Sequence, residues 1–135
     1  MILLLANRPE EISRAQQALA HFAEANGLSG KPVSQLALAV EEFLANIVKY
    51  AWADPAPHFV EMEILMADGE ILLTLSDDGS PFNPLSRPAP DTTLPLAEKP
   101  VGGLGIFMAR NFLDEVRYER REGRNVLTLR KGIGD

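Results

Sequence analysis

Between Val60 and Leu75 the chain stops repeating every three or four residues and begins repeating every two. Val60, Met62, Ile64 and Met66 alternate with Glu61, Glu63 and Leu65, and Ile71, Leu73 and Leu75 form a second row. Asp68-Gly69 lies between the rows. A two-residue hairpin loop needs positive φ at its centre, which Asp tolerates and Gly adopts without cost. The segment is predicted to be a β-hairpin with one apolar face, which must be covered by something else in the chain.

The cover is legible on the N-terminal side. Ile2 to Ala6 reads as a short strand. Asn7-Arg8-Pro9-Glu10 follows as a helix start, with Asn7 as N-cap, Glu three residues on and proline in the first turn. Ile12, Ala15, Leu19, Phe22 and Ala23 recur at helical spacing, with Gly27 as the stop. A second helix is predicted from Pro32 to about Trp52, its apolar stripe running through Leu36, Val40, Phe43 and Ile47, and Asp54-Pro55-Ala56-Pro57 ends it. Gly102-Gly103-Leu104-Gly105 opens a third helix. Two last strands, about Val116–Arg121 and Asn125–Arg130, are joined by Glu122-Gly123. Hairpin-paired strands with helices gathered on one face make an α+β two-layer sandwich.

At 135 residues, 46% of them hydrophobic, the chain is one domain with a core of its own. It has no cysteine, which excludes disulfides and thiolate metal sites. Nineteen acidic against 13 basic residues leave a net charge of −6, the wrong sign for direct nucleic-acid binding. No signal peptide and no apolar run long enough to span a bilayer is found, so the expected setting is the cytoplasm, without a membrane. Ten prolines are unevenly placed: Pro81, Pro84, Pro88, Pro90, Pro95 and Pro100 crowd one stretch with no helical or strand period.

Three clusters carry chemistry. On the second helix, Glu41, Glu42, Asn46 and Lys49 lie close together, and Glu42 and Asn46, four apart, share a face. The amide could hold a hard cation and the carboxylate accept a proton; a solvated helix face has the same composition. In Asp77-Asp78-Gly79-Ser80-Pro81-Phe82, parity places Asp77 on the inner row of Ile71, Leu73 and Leu75, with Asp78 turned away. An inward carboxylate is costly unless hydrogen-bonded, and a purine amino group would do so; an ordinary strand-end turn reads alike. Gly103-Leu104-Gly105-Ile106 at a helix start lets backbone N–H groups approach a phosphate. It is neither a P-loop nor a dinucleotide fingerprint, lacking the Lys-Ser/Thr pair and a parallel strand leading into it.

Taken in order, the three clusters resemble the N, G1 and G2 boxes of the GHKL ATPase superfamily. More narrowly, the chain is similar to the anti-sigma factor serine kinases of the RsbW type, which carry Glu-x-x-x-Asn, Asp-x-Gly-x-Pro-Phe and Gly-Gly-x-Gly-Ile/Leu-Phe. Leu113-Asp114-Glu115-Val116 and the run Gly123 to Leu129 share the look of that family. The resemblance implies a Bergerat-type, histidine kinase-like ATPase fold over residues 1–135, with a mixed sheet and Mg-ATP held between helices and sheet. It implies that Asp77 takes the adenine amino group, that Gly79 lets the base approach, and that Pro81 and Phe82 border it. Asn46 would coordinate Mg²⁺, Gly103, Leu104, Gly105 and Ile106 would form the phosphate turn, Lys49 would assist there, and Glu42 would be the general base. Pro84, Pro88, Pro90, Pro95 and Pro100 fall on the implied ATP lid, about residues 84–101. Pro81 stands where wider relatives often have a second glycine.

The implied activity is phosphorylation of a serine or threonine on an anti-sigma antagonist, with sequestration of a sigma factor as the second role and a homodimer as the family expectation. A non-catalytic, nucleotide-gated partner-switching adaptor is the rival, and Glu42 argues against it. A detached histidine-kinase domain is disfavoured, because no dimerising phosphoacceptor helix is present and His21 and His58 lie outside any acceptor-like box.

Overall fold

A computed structural model describes residues 1–86 and 103–133. The elements run β1 (Ile2–Ala6), α1 (Glu11–Ala25), α2 (Lys31–Tyr50), β2 (Phe59–Ala67), β3 (Glu70–Asp77), α3 (Gly103–Phe112), β4 (Glu115–Arg121) and β5 (Arg124–Gly132). A 3-10 turn covers Pro84–Ser86. The remainder of the segment assigned to the ATP lid lies outside the described residues.

The strands form one five-stranded sheet in the order β1-β2-β3-β5-β4. Each described pairing is antiparallel, which corrects the mixed sheet expected above. The reason is topological. β3 and β4 run in the same direction, but β5 returns between them and pairs with both. The two hairpin turns form as their sequences predict: Asp68 and Gly69 have φ of 52° and 77°, and Glu122 and Gly123 have 52° and 76°.

The helix start at Asn7 is also corrected. α1 begins at Glu11, and its N-cap position makes no side-chain cap bond. Asn7 is engaged elsewhere: its N–H donates to the His58 carbonyl at 3.0 Å, and its Oδ1 accepts the His58 N–H at 3.1 Å. Those bonds prolong the β1–β2 ladder by one step, so the side chain that would cap a helix extends a sheet instead.

The core lies between helices and sheet. Ala15 and Leu19 of α1, with Leu36, Val40, Phe43 and Leu44 of α2, meet Val60, Met62, Ile64, Ile71, Leu73, Leu75 and Leu129 of the sheet, all of them buried. Each large side chain so buried contributes roughly 1.5–3 kcal/mol of hydrophobic transfer. The opposite sheet face has no such cover among the described residues; Ile2, Leu4, Phe59 and Leu65 stand exposed on it. No described helix is long and apolar enough to cross a membrane.

Candidate functional site

The inner rows of β3 and β5 end on polar residues. Asp77 and Asn125 sit directly opposite each other in the register, 2% and 6% exposed. A carboxylate so buried needs donors. Its Oδ1 accepts the Gly79 N–H at 2.8 Å and Asn125 Nδ2 at 3.0 Å. The second Asn125 amide proton goes to the Ser80 carbonyl at 2.8 Å. Asn125 Oδ1 accepts from the Tyr118 hydroxyl, from Arg120 Nη1 at 3.2 Å and from the Phe82 N–H at 3.3 Å. Arg120 also donates to the Gly79 carbonyl at 2.8 Å.

Asp77 is thus the lining carboxylate, and Asp78 is exposed. Asp78 accepts the Trp52 indole N–H at 3.1 Å, and the Trp52 ring stacks on His58 with centroids 4.7 Å apart. The loop after β3 is pressed onto the end of α2: Ser80 N–H donates to the Ala51 carbonyl at 2.7 Å. Gly79 is needed there because of that closeness, since a Cβ on it would stand 2.5 Å from the Ala51 oxygen.

Above this network lies a small pocket, partly open to solvent. Ile47, Leu75 and Leu127 form apolar walls, Phe82 and Tyr118 are aromatic walls, and Asp77, Asn125 and Asn46 supply the polar atoms. The lining matches in chemistry a flat, largely apolar ring carrying a hydrogen-bond donor. Phe82 also packs near the Tyr50 ring, centroids 5.7 Å apart, whereas Pro81 is exposed.

The helix cluster approaches the same pocket from the other side. Asn46 is 5% exposed, and its Nδ2 donates to the Glu42 carbonyl at 2.8 Å, turning Oδ1 the other way. An amide oxygen held in this way suits Mg²⁺, which binds through one or two protein oxygens with phosphate and water completing its shell. Glu42 is half-buried against the first turn of α3, where a Cβ on Gly105 would run into its carboxylate. Burial, and secondarily the neighbouring charge of Glu41, push the Glu42 carboxyl above its ordinary 4.5. A carboxylate tuned upwards is better matched to accepting a proton near neutrality.

The structure therefore brings Asn46, Asp77 and Phe82 together at the pocket with Gly79 bonded to Asp77, and sets Glu42, one turn before Asn46, against Gly105. Gly103 starts α3 and Leu104 follows it. Ile106 is placed in the hydrophobic core, 4% exposed, and Lys49 is exposed with its ammonium 5.7 Å from the Tyr50 ring centroid. Neither lines the pocket. Asn125, Tyr118 and Arg120 were not singled out from sequence. The available signal was parity, since Asn125 heads the inward row of Leu127 and Leu129 as Asp77 ends its own.

Fold and cleft define a class of open antiparallel sandwich with a cleft between helices and sheet, a buried carboxylate at one end and an acid–amide pair at the other. The chain matches the histidine kinase-like ATPase domain family over residues 5–131 and belongs to it. It is 30% identical to the serine/threonine-protein kinase BtrW of Bordetella bronchiseptica over 111 residues, covering 82% of this chain and 78% of that one. It is 27% identical to the serine-protein kinase RsbW of Listeria monocytogenes over 129 residues, covering 93% and 82%. Among solved structures, the RsbU and RsbW domains of a Mycobacterium tuberculosis protein share the fold with a TM-score of 0.70 at 17% identity. That match covers 98% of this chain and 32% of the two-domain one.

Proposed function

We propose that this protein binds Mg-ATP in the cleft and transfers the γ-phosphoryl group to a serine or threonine of an anti-sigma antagonist, sequestering a sigma factor when that partner is unavailable. The observation that carries the reading is the placement of Glu42. It is a half-buried carboxylate one turn before Asn46 and against the glycine turn of α3, so a base, a metal-binding oxygen and backbone N–H groups address one region.

In this mechanism Asp77 accepts the adenine amino group while Phe82 and Tyr118 flank the ring. Asn46 would hold Mg²⁺, which when bound neutralises phosphate charge. Glu42 receives the proton of the attacking hydroxyl as the new O–P bond forms and the bond to ADP breaks, ADP leaving with the electron pair. General-base help of this kind is worth about 10²–10⁴ in rate. Sigma factors act on cytoplasmic transcription, so the cytoplasm is the proposed location. The exposed Ile2, Leu4, Phe59 and Leu65 on the uncovered sheet face support protein association, and a homodimer is the proposed state.

The test uses labelled ATP, Mg²⁺ and the partner recovered by co-purification. Glu42→Ala should retain ATP binding and lose at least about 10² in transfer. Transfer at the wild-type rate would overturn the assignment. ATP binding without transfer by the wild-type chain would favour the non-catalytic adaptor.

A further inference from the structure

Asn125 is the most heavily engaged polar side chain in the described structure, and phosphoryl transfer itself makes no use of it. Its orientation is dictated by its neighbours. The Nδ2 side meets two acceptors, Asp77 Oδ1 and the Ser80 carbonyl, while the Oδ1 side meets three donors, from Tyr118, Arg120 and Phe82. A flipped amide would set donors against donors and acceptors against acceptors.

The consequence falls on Asp77. Two N–H donors, from Gly79 and Asn125, converge on its Oδ1. That leaves Oδ2 as the carboxylate oxygen without a hydrogen bond among the described residues, on a side chain that lines the pocket. An oxygen presented in this way accepts and does not donate. A base with an amino group satisfies it; a base with a carbonyl at the same place opposes one lone pair with another.

Resting on the nucleotide reading above, we infer that Asn125 is a positioning residue that sets base selectivity: by holding Asp77 as a fixed acceptor, it makes the pocket choose an amino-bearing purine over its carbonyl counterpart. Tyr118 and Arg120 act through it, since both anchor the amide oxygen. Asn125→Asp places an acceptor against two acceptors. The conflict is relieved when the two carboxyl groups share a proton between them or Asp77 turns away, and either weakens the fixed anionic acceptor that the amino group needs.

The probes are ATP and inosine triphosphate, which differ by an amino group against a carbonyl and share the phosphate chain. Calorimetry on the full chain should show wild type preferring ATP by about 100-fold or more, as hydrogen-bonding sites discriminate against a mismatched group. In Asn125→Asp the preference should fall below about 10-fold, with inosine triphosphate affinity moving less than about 3-fold, because the phosphate contacts are untouched. A loss of affinity shared equally by both nucleotides, at unchanged preference, would overturn the inference and leave Asn125 a structural residue. Should Asn125→Asp fail to fold, Tyr118→Phe at the half-buried strand edge decides. Its preference should drop by about 3-fold, since one anchoring hydrogen bond is lost, and an unchanged preference overturns the inference. A wild-type chain that binds neither nucleotide refutes the nucleotide reading itself, a result distinct from both.

Discussion

At the sheet end of the cleft, Asp77 is 2% exposed and sits in a network running through Gly79, Asn125, Tyr118 and Arg120. At the helix end, Glu42 is half-buried, raised in pKa by partial desolvation, and packed against a glycine. The contrast fits the proposed tasks. Recognition of a ring needs a fixed acceptor, because an acceptor free to turn away no longer discriminates a donor from an acceptor on the ring. Proton transfer needs a group that can change charge and shift slightly, so a saturated network would hinder it.

The two glycines expose the contrast most sharply. At Gly79 an added methyl meets the Ala51 carbonyl oxygen at 2.5 Å and the Ala51 Cβ at 2.7 Å, neither free to move. Gly79→Ala should therefore cost about 1–3 kcal/mol of stability by overpacking, lowering the urea midpoint and removing ATP binding with it. At Gly105 the added methyl meets the end of the flexible Glu42 side chain. Gly105→Ala should leave the urea midpoint unchanged or raised, since alanine favours a helix by about 0.5–1 kcal/mol over glycine. By displacing the proposed base it should slow transfer by about 10² or more. Equal stability losses in the two variants would break the distinction between a rigid and a yielding end.

A smaller effect concerns pH. Glu42 holds its proton more tightly in the folded chain than in the unfolded one, because its pKa is raised from 4.5. Its contribution to stability is thus fully present below that value and is lost as pH rises through the folded value. Transfer should rise over the same window as the base ionises. Glu42→Gln should flatten the stability limb, measured as urea midpoints across mildly acidic to neutral pH; an unchanged limb would separate the shift from Glu42.

Much of this was legible in the sequence, for local reasons. Period two from Val60 to Leu75 and the positive-φ pairs Asp68-Gly69 and Glu122-Gly123 are short-range signals, and the hairpins follow them. Parity also separated Asp77 from Asp78. What depended on distant partners was not legible. Asn7 carries the chemistry of an N-cap, yet His58, 51 residues away, takes its side chain. The fully antiparallel sheet depends on β5 returning between β3 and β4, which no local pattern states. Asn125 could be placed inward, but its role exists only once Asp77 is found opposite it.

The reading proposed for the cleft rests on recognition of a purine by Asp77. Titration of Mg-ATP into wild type and Asp77→Asn by calorimetry addresses it most directly. One ATP should bind per wild-type chain, and affinity should fall by at least about 10-fold in Asp77→Asn, since a buried charged acceptor is lost, with the variant still folded by its thermal transition. Wild-type affinity in a folded Asp77→Asn would contradict it.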